Sequence, residues 1–185
     1  MDDQQFEEDL RRNSLRVEEG RWGWTVGRSI AAVLVLVMLA FWTWAFLWSP
    51  RGHPDELDST TFPEFAEESC SVALEELSQV PGASTARDLE DRAVQLETTT
   101  AILSLMVADL RAEAPKSGDD AELVARWLAD WETYLSDRLA YAADFRAGID
   151  KAFSVTAVDG DQVTSALDLF ATINRMPSCI APGDV

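Results

Sequence analysis

Ser29 through Pro50 carry no ionisable side chain, and Ile30–Trp48 reads IAAVLVLVMLAFWTWAFLW, nineteen residues interrupted only by Thr43. At ~1.5 Å per residue, about twenty helical residues cross a hydrocarbon core of roughly 30 Å. A helix apolar on every face is stable inside a large protein or among lipid tails. A chain of 185 residues leaves too little protein to enclose it. Residues 22–49 are therefore read as a transmembrane helix with its interfacial ends.

The aromatic residues agree. Trp22 and Trp24 stand at one end of the run and Trp42, Trp44 and Trp48 at the other, where amphipathic rings favour the headgroup level. Orientation follows from the flanks. Arg11, Arg12, Arg16, Arg21 and Arg28 precede the span, whereas Arg51 is the only Lys or Arg between it and Arg87. The positive-inside rule then keeps the amino-terminal side in the cytoplasm and puts the rest outside, in a plasma-membrane protein. A cleaved signal peptide fits less well: the leading segment starts Met-Asp-Asp, and the run ends in tryptophans, not in a small-residue cleavage site. An uncleaved signal anchor results.

Residues 1–21 hold seven acids and four arginines without clear periodicity, a polar cytoplasmic tail. Residues 50–63 contain three prolines and a glycine, a linker expected to hold the outer domain clear of the bilayer. His53 falls in that linker and is expected to be solvated and partnerless.

Residues 64–185 show no alternating strand pattern and four helical stretches, about 64–79, 85–112, 120–153 and 161–175. In the second, Leu89, Ala93, Leu96, Thr100, Leu103, Val107 and Leu110 repeat at intervals of four and three, a single stripe facing a neighbour. The third carries Val124, Leu128, Trp131, Leu135, Arg138, Ala142, Phe145, Ile149 and Ala152 at the same spacing, with Asp119 or Asp120 as N-cap. The fold class is therefore all-α: one N-terminal transmembrane helix plus an extracytoplasmic antiparallel four-helix bundle. Cys70 on the first outer helix and Cys179 beyond the last can meet if those helices are neighbours. Outside the cytoplasm a disulfide is expected, with two buried thiols as the alternative.

Arg138 interrupts an apolar stripe. A hairpin pairing Leu110 with Val124 sets Arg138 opposite Leu96 and Glu97, and a buried guanidinium needs a partner. An Arg138–Glu97 ion pair is expected, joined by Tyr134 or Thr100; its role is either to fix helix register or to bind an anion. Trp127, Trp131, Tyr134, Tyr141 and Phe145 lie along the same helix. They are either core or, if Trp127, Trp131, Tyr134 and Tyr141 face outward, an interaction surface. Asp130, Asp137 and Asp144 are two turns apart, roughly 10 Å, too far to share an ion, and read as solvated acids. Asp159-Gly160-Asp161 lacks the further ligands of a calcium loop and reads as a turn and N-cap. Gly23, Gly27 and Ala31 make a weak small-xxx-small pattern.

Composition narrows the function. Thirty-three acids against fifteen Lys and Arg give a formal charge of −18, which excludes a phosphate-backbone partner such as nucleic acid. Two cysteines and one histidine leave little for a metal centre or a histidine-based triad. No phosphate loop, Gly-x-Ser-x-Gly elbow or His-Glu-x-x-His is present. No cofactor, no metal and no catalytic role are expected. Thirteen arginines against two lysines, with abundant Ala, Asp and Val, give the chain the look of a GC-rich bacterial genome's product. In this it resembles single-pass membrane proteins of actinobacteria, a resemblance that implies no activity. The expected role is a membrane-anchored binding or scaffolding module. Its partners would be the lipid bilayer and a membrane or envelope protein, with homo-oligomerisation as an option. The alternative is a sensor with a small-ligand pocket between helices, and an envelope enzyme ranks last.

Overall fold

The computed structural model describes residues 26–48, 52–158 and 160–184. The chain divides into two units, one up to Arg51 and one from Gly52 onward.

In the first unit, α1 spans Val26–Trp48, 23 residues or about 34 Å. Within its apolar run the Thr43 hydroxyl is satisfied internally, Oγ1 donating to the Leu39 carbonyl at 2.7 Å. None of the most apolar stretch of α1 is buried. Leu34, Leu36 and Met38 are all more than half exposed. By length and composition α1 is able to cross a membrane.

The second unit is built mostly from four helices: α2 (Thr61–Ser78), α3 (Leu89–Glu113), α4 (Asp119–Arg146) and α5 (Val163–Ile173). The helix α3 is also long and apolar, but 44% of its most apolar stretch is buried, as befits a core helix. Asp88 caps α3, its carboxylate accepting from Asp91 N at 2.8 Å. Consecutive helices pack on one another, α2 on α3, α3 on α4 and α4 on α5. The 3₁₀ turn Pro177–Cys179 returns against α2 and so closes the circuit. Cys70 and Cys179 form a disulfide there, with Cα atoms 5.1 Å apart. The bond joins α2 to the turn just beyond α5, the pairing of Cys70 with Cys179 expected from the sequence. Such a bond suits an oxidising compartment.

The main core gathers Phe62, Ala66, Leu103, Leu110, Trp127 and Trp131 with Leu167 and Phe170. A smaller cluster, Ala93, Leu96, Ala142 and Phe145, sits separately between α3 and α4. Two features differ from the sequence reading. The helix α4 stops at Arg146, not near 153, because Gly148 adopts φ +77°. Its amide donates to Phe145 O, and Ile149 N donates to Asp144 O, both at 2.9 Å, the paired bonds of a Schellman cap. The released chain forms a short hairpin, β1 (Ala157–Val158) antiparallel to β2 (Asp161–Gln162), where no strand was expected. Gly160 supplies the turn at φ +95°, and Asp159 lies outside the described residues.

The segment before α2 is no free spacer. Leu57 is buried, and its amide donates to Asn174 Oδ1 at 2.8 Å. Asp58 N and Ser59 N donate to the two carboxylate oxygens of Asp120 at 2.9 and 3.1 Å. Asp120 therefore holds this segment instead of capping α4, whose N-cap is Gly118. His53 is not partnerless: its Nδ1 lies 3.6 Å from Asp55 Oδ2.

Candidate functional site

Two places in the second unit combine chemistry with position: the buried Arg138 and the crevice between α2 and α3.

Arg138 is fully buried on α4. Its Nε donates to Thr100 Oγ1 at 3.0 Å. Its Nη1 donates to Tyr134 Oη at 3.1 Å and to Asp184 Oδ1 at 2.6 Å. Its Nη2 donates to Thr99 Oγ1 and to Asp184 Oδ2, both at 2.6 Å. A guanidinium has five N–H groups, and here each has an acceptor inside the chain. The acceptors are themselves oriented. Thr99 and Thr100 hydroxyls donate to Leu96 O, at 3.1 and 2.6 Å, and Tyr134 Oη donates to Pro182 O at 3.0 Å. Arg92 Nη2 donates to Asp184 O at 3.0 Å and steadies the same strand of chain.

Burial works against charge at Arg138, but the bidentate bond and the charge of Asp184 outweigh it and hold the guanidinium's pKa above its ordinary value. Asp184 is likewise penalised by burial, and Arg138 nonetheless holds its carboxyl below the usual range. Burial raises the Tyr134 phenol, with Arg138 opposing.

The expected Arg138–Glu97 pair is not formed. Glu97 binds Arg146, with Oε1 to Nε and Oε2 to Nη2 both at 2.7 Å, and Glu90 joins the same arginine. Hydrogen bonds from Arg146 hold the Glu97 carboxyl low. The physical reason is register. The α3–α4 hairpin closes about one helical turn away from the pairing of Leu110 with Val124, bringing Thr99 and Thr100 to Arg138. The guanidinium's charge is then matched from outside the hairpin, by a residue 46 positions away.

The aromatic stripe is core, not surface. Trp127, Trp131 and Tyr134 are each 1% exposed, and Trp127 stacks on Phe170 with centroids 5.2 Å apart. Tyr141 is half-buried and packs on Phe145 and Phe153, centroids 4.4 and 5.2 Å away. Of the three spaced aspartates, Asp137 accepts from Thr156 N and Oγ1 at 2.6 and 2.8 Å. Asp144 pairs with Lys151 at 2.6 Å. Both acids tie the loop after α4 back to that helix. Among the described residues no group of three His, Cys, Asp or Glu is placed to hold a metal ion. Of the interfacial tryptophans, Trp42 and Trp44 are 47% and 61% exposed on α1. Trp22, Trp24 and the Trp48 side chain lie outside the described residues, as does Gly23.

The crevice between α2 and α3 is an open groove of about 590 Å³. Phe65, Val72 and Ala73 of α2 and Ile102, Leu105 and Met106 of α3 supply its apolar lining, with Glu68 and Glu76 along one side and Asp109 and Glu113 along the other. Four-residue steps put Glu68, Val72 and Glu76 on one edge and Leu105, Asp109 and Glu113 on the other. Val72 is 53% exposed, and Leu105, at 68%, is the most exposed large apolar residue described beyond Arg51. Sequence periodicity missed this crevice, because Leu105 falls outside the stripe from Leu89 to Leu110 and no spacing singles out Val72. Their common edge follows only from how α2 and α3 pack.

No protein-family model, no curated protein and no solved structure matches the chain.

Proposed function

We propose that this chain is a single-pass membrane protein that displays a protein-docking module. In this reading α1 is an uncleaved signal anchor with its amino-terminal side in the cytoplasm. The unit from Gly52 onward is an extracytoplasmic antiparallel four-helix bundle, closed by the Cys70–Cys179 bond. Support for the anchor comes from the fully exposed apolar surface of α1, and support for the compartment from the disulfide. Arginines before the span support the direction.

The observation that carries the docking role is the crevice between α2 and α3, where Val72 and Leu105 expose apolar side chains in an open groove. The sensor alternative draws no comparable support, since Asp184 and three hydroxyls occupy every donor of Arg138.

Two experiments test the two halves. In intact cells, a membrane-impermeant maleimide should label Asp150→Cys and leave Asn13→Cys unlabelled until the membrane is permeabilised; the reverse pattern would overturn the topology. A photoreactive amino acid at Leu105 should form a discrete protein adduct in cells, while the same group at Ser136, on an exposed part of α4, should not. Equal or absent labelling at both positions would refute docking at this crevice.

A further inference from the structure

The rim of the α2–α3 crevice has one sign. Glu68, Glu76, Asp109 and Glu113 are all exposed, and among the described residues none of them has an ion-pair partner. The other large crevice, between α4 and α5, sets Arg126 among Asp55, Asp130 and Asp161, and Arg126 lies 3.5 Å from Asp55, so its rim is not of one sign. Beyond Arg51 the chain carries 26 acids against nine Lys and Arg, a formal −17. A second copy of this unit would meet the rim with like charge, which costs association energy. Both walls, Phe65–Glu76 and Ile102–Glu113, are about 16 Å long, three helical turns.

We infer that the α2–α3 crevice takes a basic amphipathic helix of a partner protein, an inference that rests on the docking role proposed above. Apolar side chains of the partner at positions i, i+3 or i+4, and i+7 enter between Val72 and Leu105. Lysines or arginines flanking that stripe meet the four rim carboxylates. The charge steers encounter and selects the partner, and the apolar contact holds it.

The test uses the full chain in phosphatidylcholine nanodiscs, with binding to empty discs subtracted, and two fluorescent three-turn helical peptides, one Leu–Lys and one Leu–Glu. The Leu–Lys peptide should bind at least about tenfold more tightly. Glu68→Gln with Asp109→Asn should weaken it about tenfold. Glu122→Gln with Asp150→Asn, which removes equal charge from exposed positions away from the crevice, should change it less than about twofold. Leu105→Ser should weaken binding with the charge intact. Equal affinity for the two peptides, or equal loss from both double variants, overturns the inference: the first removes charge selection and the second reduces it to diffuse attraction. If Leu105 gives its adduct in cells while the peptides show no preference, the docking role stands and the basic partner falls. If neither peptide binds and no adduct forms, both fall.

Discussion

Asp184 grips Arg138 with both carboxylate oxygens, each 2.6 Å from a terminal guanidinium nitrogen, and the two partners differ sharply in exposure: Arg138 is wholly buried, whereas 29% of the Asp184 side chain meets solvent. That difference makes the pair asymmetric to mutation. Asp184→Asn strands a buried charge and should cost about 2–4 kcal/mol of unfolding free energy. Arg138→Met removes the charge itself, and Asp184 can turn to water. The hydroxyls of Thr99, Thr100 and Tyr134 keep their carbonyl acceptors. This variant should stay within about 1 kcal/mol of the wild type. Urea unfolding of the two variants under one condition measures the contrast, and equal losses would contradict it.

The same pair predicts a pH dependence. The folded-state pKa of Asp184 lies below its unfolded value because Arg138 stabilises the carboxylate against the penalty of burial. Its contribution is therefore complete above the unfolded carboxylate value, about 3.9, and is lost as pH falls through the folded one. The stability gap between wild type and Asp184→Asn should hold steady from neutral pH down to about pH 5 and then narrow. A gap that widens in acid would have the wrong sign.

Reduction should loosen the whole second unit. Cys70–Cys179 closes a loop of 109 residues, so in the chain-entropy account Cys70→Ser with Cys179→Ser loses about 4–5 kcal/mol. Thermal melting with and without reductant reads this directly. The wild type in reductant should approach the double variant, and the variant should not respond.

One residue offers a gain. Arg175 is the only non-glycine at positive φ among the described residues, at φ 60°, and it ends α5 with Met176 N donating to Ala171 O at 2.8 Å. This is the position of a helix C-cap that glycine usually fills. Arg175→Gly should raise stability by about 0.5–1 kcal/mol, once its greater freedom in the unfolded chain is set against relief of the left-handed strain. A lower melting temperature would show that the Arg175 side chain makes up for its own backbone.

The legible parts of the sequence were those governed by local solvation and period. The apolar run of α1 and the stripe Leu89 to Leu110 announce helices because each depends only on residues three or four apart. Gly148 carries two competing signals: Ile149 and Ala152 continue the α4 stripe, yet a glycine just after Arg146 marks a C-cap. The partner of Arg138 carried no such signal. Nothing near it in sequence points to Asp184, and a one-turn shift in the α3–α4 register was enough to hand Glu97 to Arg146. Asp120 likewise looks like a cap until the segment around Asp58 is brought against it.

Sequence alone therefore determined that one stretch is too apolar for water, that most of residues 64–185 is helical, and that the need of a buried guanidinium for countercharge must be met somewhere. The tertiary structure decided which carboxylate meets it, where α4 ends in space, and that Val72 and Leu105 share one acidic-rimmed crevice. The reason is range. Solvation and helical period act within a turn or two, whereas charge pairing and groove shape depend on contacts between residues that only packing and loop closure bring together.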